Sequence, residues 1–295
     1  MSLYKDITVI IVTFKSEHII DKTIKNLSDK FNIIIVENSS NLIFKRYIEK
    51  NFLNCKVILT GDNLGVSKAV NIALKKIKTK FSFFVTPDAF PKKDCIFKLY
   101  KTARINNKIA IISPRNINYK LKNQYGVNLE LNKILNNSLY YKKNKLMTVD
   151  WVLGGALFFN MNCISKIGLF DEKYFLDFEE IDLCVRAKKN NFDVILNLNA
   201  FTENLEHGSV NTDNKNSLNN QRNWHYGWSM FYFYRKNFGY FFSFRKNLKT
   251  LIKSFLKFIY YLSFLNFTQA MNHLFFLRGY LSSMFGLNSS YRAKI

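Results

Sequence analysis

Short apolar runs alternate with stretches of helical period through the first half of the chain. Ile7 to Val12, ITVIIV, is continuous and rich in β-branched residues, the pattern of a strand buried on both faces of a parallel sheet. After Thr13-Phe14-Lys15, Ser16 is placed to cap a helix reaching about Ser28. Phe31 to Val36 predicts a second strand ending in Glu37-Asn38-Ser39-Ser40, Leu42 to Phe52 a helix, and Lys56 to Leu59 a third strand. Thr60 to Asn71 is a polar loop entering a helix that runs to about Ile77, and its first turns offer Lys68 and Asn71 to a phosphate or sugar, or simply an Asn cap. Phe81 to Val85 is a fourth strand, ending in Thr86-Pro87-Asp88, where the acidic residue is placed for a divalent cation or a helix cap. Such alternation marks βαβ units in an open α/β sheet, in which ligands bind beyond the carboxyl ends of the strands. The polar residues at strand ends are therefore the candidates for chemistry.

The second half is less regular. Leu121 to Leu146 is polar, rich in Lys and Asn and without period, and reads as an insertion or loop near the active-site face. Val152 to Phe159 is an apolar strand broken by Gly154 and Gly155, a pair that marks a bulge or the approach of a ligand. Asp177 reads as the opening of a helix, with the D-x-x-E spacing of a capping box to Glu180. On that helix Phe178, Ile181, Cys184 and Val185 share an inward side, Glu179, Asp182 and Arg186 share another, and Asp182 and Arg186 stand one turn apart and can pair. Asp193 to Leu198 and Phe201 to Leu205 read as edge strands leading to Glu206-His207-Gly208-Ser209. From Asn220 onward the pattern is helical and aromatic: Leu248, Leu251, Ile252, Phe255, Phe258, Ile259 and Leu262 form a stripe with Lys249, Lys253 and Lys257 opposite. No part of it reaches the ~20 uninterrupted apolar residues of a spanning helix. It is suited to lie in a membrane interface, to dock on the preceding domain, or to pair with a second copy.

Charge changes this picture only partly. The 295 residues carry 44 Lys plus Arg against 21 Asp plus Glu, a net charge of +23, which favours polyanionic partners. The Lys excess comes with abundant Asn, Ile and Phe, all of which have A/T-rich codons, and Lys is spread over every segment; a nucleic-acid binder would gather its basic residues in a stripe with aromatics. Cys55, Cys95, Cys163 and Cys184 form no C-x-x-C pair, which speaks against a zinc site and a disulfide framework and for a reducing, cytosolic setting. The first residues show no basic-then-apolar leader, so no secretory signal is expected.

The ordered set IIVTF, IVENSS, DNLGVSKAVN, FFVTPD, DWVLGGALFF, GLFDEKYFLDFEEIDLCVR and EHGS resembles glycosyltransferase family 2, and within it the rhamnosyltransferase-like branch, over about Ile7 to Ser209. The resemblance implies a GT-A fold, α/β with a mostly parallel open sheet flanked by helices, over residues 1–215, followed by a C-terminal basic, aromatic helical region, 216–295. It implies an inverting hexosyltransferase that moves a sugar from a nucleotide-diphosphate donor, dTDP-rhamnose-like or UDP-hexose, to a glycan or lipid-linked acceptor in cell-surface polysaccharide synthesis. It also implies a divalent cation, Mg or Mn. The C-terminal segment itself points to a cytoplasmic enzyme peripheral at the inner face of the cytoplasmic membrane, or to a homodimer, and the spread of Lys to no nucleic-acid partner.

By position, Thr13 and Glu37 meet the nucleoside, Asn63, Gly65 and Lys68 the nucleotide and diphosphate, and Asp88 the donor through a metal shared with His207. Trp151, Gly155 and Asp182 shape the acceptor side. Glu180 takes the place of the catalytic base, with Glu179 the neighbour one register away. Three departures stand out: Thr86-Pro87-Asp88 replaces D-x-D, Glu37 replaces the commoner Asp, and Glu180 stands where Asp is usual. The residue types suit the chemistry, because an inverting transfer needs a carboxylate to take the acceptor's proton and positive charge to hold the leaving diphosphate. A sugar-phosphate nucleotidyltransferase, the nearest rival, would carry a Gly-rich, Arg-containing loop after the first strand, where this chain has Thr13-Phe14-Lys15-Ser16.

Overall fold

The computed structural model describes residues 3–25, 27–126, 142–143, 145–205 and 208–293. In chain order the elements are β1 (Ile7–Thr13), α1 (Ile20–Lys25), β2 (Asn32–Glu37), α2 (Leu42–Asn51), β3 (Cys55–Leu59), α3 (Val66–Leu74), β4 (Phe81–Val85), β5 (Ala89–Pro91), α4 (Cys95–Ala103), β6 (Ile109–Asn116), β7 (Tyr125–Gly126) and β8 (Lys142–Lys143). They continue with β9 (Leu146–Val149), β10 (Trp151–Val152), β11 (Ala156–Asn160), α5 (Met161–Ile167), α6 (Glu179–Lys189), β12 (Asp193–Asn204), α7 (Lys215–Phe238), α8 (Tyr240–Ser263) and α9 (Phe267–Met284). By contact density the chain forms two compact units: residues 1–64, 68–170 and 180–211, and residues 65–67, 171–179 and 212–295.

The first unit is built on one sheet with strand order β3-β2-β1-β4-β11-β6-β12-β9-β8. The four strands β3, β2, β1 and β4 are parallel, as their continuous apolar runs predict. β11 then enters antiparallel between β4 and β6, and β12 pairs parallel with β6 and antiparallel with β9 and β5. Ile7, Val9, Ile11, Phe83, Val85 and Phe158 anchor its core, all fully buried.

Three expectations are corrected here. The helix after Ser16 is only α1; Ser16 instead closes the turn before it, its carbonyl accepting from the N–H groups of Ile19 and Ile20. The run 152–159 is two strands: β10 belongs to a small sheet with β7, and β11 to the large one, with Gly154 and Gly155 at the switch. The two supposed edge strands are the single β12, inside the sheet; its register shifts between Asn197 and Phe201, where the Asn197 side chain accepts from the N–H groups of Asn199 and Ala200. Of the polar segment 121–146, residues 127–141 and 144 lie outside the described residues.

The second unit is helical. α7 and α9 touch backbone to backbone: a Cβ on Gly227 would lie 2.2 Å from the Phe276 carbonyl oxygen, and one on Gly279 1.9 Å from that of Trp224. Phe231, Met230, Phe276 and Tyr280 fill the seam. The chain after α9 folds back along α7, where Trp228 Nε1 donates to the Leu287 carbonyl and both ring nitrogens of the buried His225 are engaged, by Ser289 Oγ and the Tyr291 carbonyl. Burial of that ring pushes its pKa down to about 3, so it is neutral at physiological pH.

Candidate active site

At the carboxyl ends of β1 to β3 the polar side chains satisfy one another. Thr13 Oγ1 donates to Glu37 Oε2 at 2.5 Å and Ser39 Oγ to Glu37 Oε1 at 2.6 Å. Both Thr13 and Glu37 are fully buried, and burial raises the Glu37 carboxyl above its ordinary range although the two hydroxyls oppose the shift. Asn38 donates to Asn63 Oδ1 at 3.1 Å and accepts from the Leu64 N–H at 2.9 Å, holding the loop after β3 against the end of β2. Asn38 and Ser39 were visible in the sequence only as part of a polar run; their work in orienting Glu37 and Asn63 appears with the pairing of β1, β2 and β3.

In the loop that follows, Lys68 is exposed in the first turn of α3. Gly65 has φ +83°, and a Cβ there would come within 2.5 Å of the Phe175 carbonyl oxygen, which accepts from the Val66 N–H. Its immediate partner is therefore the chain near Phe175. Asn71 is buried and exchanges two hydrogen bonds with the Phe170 backbone, at 2.9 and 3.0 Å, so it fastens α3 rather than facing a ligand.

The glycine switch forms the next part of the site. The Thr86 N–H donates to the Gly155 carbonyl at 3.0 Å, and Asp88, two residues on and buried, precedes β5. A Cβ on Gly155 would meet Asn204 Nδ2 at 2.6 Å, and one on Gly154 would lie 3.2 Å from Glu180 Cδ. The two glycines thus bring the Glu180 carboxyl and the Thr86–Asp88 turn to one stretch of backbone. Trp151 lies across Gly126, where a Cβ would be 1.9 Å from its Nε1. Asn204 and Gly126 gave no sequence signal, being 49 and 25 residues from the glycine and the tryptophan they meet.

The acidic stretch is not the capped helix its spacing predicts. Asp177 and Phe178 are both left-handed, φ +66° and +67°, and α6 begins at Glu179. An N-cap residue has extended geometry, so the D-x-x-E spacing is a coincidence of sequence. Burial pushes the Asp177 carboxyl up to about 6, with Arg222 pulling the other way. Glu179 is buried. Asp182 is fully buried and accepts from Arg186 Nε at 2.8 Å, while the rest of that guanidinium donates to the carbonyls of Ile167, Gly168 and Leu169. The expected pairing of Asp182 and Arg186 is present, and it clamps the turn after α5.

For a divalent cation the donor set is sparse. Among the described residues no three His, Cys, Asp or Glu side chains gather in ligating distance, and His207 lies outside the described residues. Asp88, which carries a hard oxygen donor, lies beside Gly208, where a Cβ would be 3.4 Å from the Asp88 Cβ. One carboxylate suits a cation carried mainly on a diphosphate, which binds through one or two carboxylates and completes its shell with phosphate oxygens and water.

The chain matches the family described as Glycosyl transferase family 2 over residues 8–161, just over half its length. It is 24% identical over 207 residues to the low-salt glycan biosynthesis hexosyltransferase Agl10 of Haloferax volcanii, and spans 65% of that protein's length with 65% of its own. To the rhamnosyltransferase WbbL of Escherichia coli it is 24% identical over 210 residues, 60% of this chain and 75% of that one. In structure it is similar to the mannosyltransferase PcManGT from Pyrobaculum calidifontis in complex with GDP-Man and Mn2+, with TM-score 0.58 at 12% identity over 95% of this chain and 87% of that one. It is also similar to GalNAc-T7 with UDP, GalNAc and Mn2+, TM-score 0.56 at 12% identity over 79% and 50%. At such identities the likeness is one of fold, and the fold is GT-A.

Proposed function

Because the chain belongs to glycosyl transferase family 2, we propose that it is an inverting hexosyltransferase that moves a sugar from a nucleotide-diphosphate donor to a glycan or lipid-linked acceptor in cell-surface polysaccharide synthesis. The observation that carries the reading is the glycine switch, which sets the Glu180 carboxyl beside the backbone that holds the Thr86–Asp88 turn. A base for the acceptor and a carboxylate for the donor's cation belong on two sides of one reacting carbon. The names of Agl10 and WbbL support a hexose or deoxyhexose donor, dTDP-rhamnose-like or UDP-hexose.

In this reading the acceptor hydroxyl attacks the anomeric carbon from the face opposite the diphosphate. The new carbon–oxygen bond forms as the bond to the phosphate oxygen breaks, and the hydroxyl proton passes to Glu180. Thr13 and Glu37 hold the nucleoside, with Asn63, Gly65 and Lys68 along the nucleotide and diphosphate; Trp151, Gly155 and Asp182 bound the acceptor side, Asp182 by fixing the turn that Arg186 clamps. Asp88 and His207 would hold Mg or Mn, which supplies positive charge to the departing diphosphate. The Mn2+ in the two structural relatives supports a divalent cation. The C-terminal helices, residues 216–295, are the region through which a membrane surface or a second copy would be met. Glu180 is preferred to Glu179 as base because its carboxyl lies on Gly154, whereas Glu179 is buried.

Measuring transfer from dTDP-rhamnose and UDP-glucose, together with donor binding by calorimetry, tests the assignment. Glu180→Gln should lower transfer by about 10²–10⁴-fold with donor affinity within about threefold of the parent. Unchanged turnover overturns the base, and loss confined to Glu179→Gln moves it one residue.

A further inference from the structure

We infer that α8 and the turn after it form a docking surface for an anionic lipid bilayer. The inference concerns the helical unit alone and does not depend on the transfer reaction. α8 packs Leu251 against the α7–α9 seam and Phe242 on Phe238, yet leaves much of its apolar surface outside. Its packed side carries Ser243, Asn247 and Ser254, all buried, of which Ser243 donates to the Phe231 carbonyl at 3.0 Å and Ser254 meets His273 Nδ1 at 3.1 Å. Six of its large apolar residues face outward: Phe241, Phe244, Leu248, Ile252, Phe255 and Ile259 are all exposed, Phe241 to 82%. At 100° per residue these six fall within a sector of about 80°, one side of the cylinder.

The turn into α9 continues the surface. Phe264 and Leu265 are 69% and 72% exposed, and Leu265 adopts φ +55°, a left-handed conformation that a leucine takes at a cost. A contiguous apolar strip of this length on a protein surface marks an interaction site.

Charge decides what covers it. Lys246, Lys249, Lys253 and Lys257 follow one flank of the strip, and from Asn214 to Ile295 the sequence has twelve Lys or Arg and no Asp or Glu. A second copy laid on this face would oppose basic flank to basic flank with no acid from the region to answer it, which costs free energy. A bilayer of anionic lipid answers both features, acyl chains beneath the strip and phosphates beside the lysines. Between the two runs a shallow groove of about 380 Å³, lined by Lys249, Ile252, Lys253, Leu256, Lys257 and Tyr260, has the apolar floor and cationic rim that a phospholipid headgroup needs. No described helix is long and apolar enough to cross a membrane, so the contact is one of lying on the surface.

Sedimentation of the full chain with vesicles tests this. Binding to phosphatidylcholine vesicles containing phosphatidylglycerol should exceed binding to phosphatidylcholine alone, and should weaken with salt without vanishing. Lys249→Gln, Lys253→Gln and Lys257→Gln together should lower affinity for the anionic vesicles on the order of a hundredfold, about fivefold per lysine. Phe255→Ser with Phe264→Ser should remove the part that survives high salt. All five side chains are exposed, so thermal melts unchanged from the parent show that the variants are folded. A parent chain that ignores anionic vesicles at low salt overturns the proposal. So does a parent that is dimeric by light scattering, becomes monomeric in the Phe255→Ser, Phe264→Ser variant, and binds vesicles no better than that variant.

Discussion

The two units dispose of their apolar side chains differently. In the α/β unit the apolar residues go inward, and two buried carboxylates are held by specific donors: Glu37 by the hydroxyls of Thr13 and Ser39, and Asp182 by Arg186, whose guanidinium also donates to three carbonyls. In the helical unit α7 and α9 are joined where Gly227 and Gly279 let backbones touch, and α8 buries Ser243, Asn247 and Ser254 while Phe241, Phe244 and Phe255 stay outside. The contrast shows that an amphipathic period locates two faces without saying which of them meets protein. In a sheet unit hydrophobicity settles the question. In α8 the inner side mixes Leu251 and Phe242 with the hydrogen-bonding Ser243 and Ser254, so part of the apolar period is left over for the outside.

Three stability measurements sharpen this contrast, each by chemical denaturation of the full chain. The largest effect is expected for Arg186→Met, which strands a fully buried carboxylate and frees the carbonyls of Ile167, Gly168 and Leu169; the loss should be about 3–5 kcal/mol, and changing Asp182→Leu alongside it should restore much of that. A loss under about 1 kcal/mol would mean that the clamp is dispensable. Next, Gly279→Ala drives a methyl group into the Trp224 backbone and should cost about 1–3 kcal/mol, with the α/β unit melting as before. Smallest is Phe255→Ala, on the outward face of α8, expected within about 0.5 kcal/mol of the parent. A cost as large as that of a core phenylalanine would mean that the outward strip is held by protein after all.

Legibility followed the reach of the interactions. β4 was readable to the residue because a strand buried on both faces needs only its own apolar run, as does β1; β2 and β3, less fully buried, were readable to within a residue from their apolar positions. The cluster of Thr13, Glu37 and Asn63 could be placed at strand ends, although Asn38, which joins two of the three loops, could not be singled out from a polar run. β12 was misread as two edge strands because the apolar pattern breaks at Asn199-Ala200, where the chain bulges within one strand. Asp177 was misread as a cap because spacing cannot report the sign of φ. Trp151 and Gly155 were identifiable as residues, yet the seats they occupy, on Gly126 and beside Asn204, arise from pairings across the sheet that no local pattern encodes.

The place of β11 in the sheet bears on the order in which the protein can be made. β4 is paired on one side by β1, which precedes it, and on the other by residues 156–160, which follow much later. At a synthesis rate of roughly 5–20 residues per second, the ~70 residues between them take on the order of 4–14 s to emerge. Through that interval the Phe81–Val85 strand, FSFFV, presents an open edge without its native neighbour. The nascent chain therefore has a defined window in which β-strand addition by another chain competes with its own completion, and the window closes only when the segment that also carries the two switch glycines has left the ribosome.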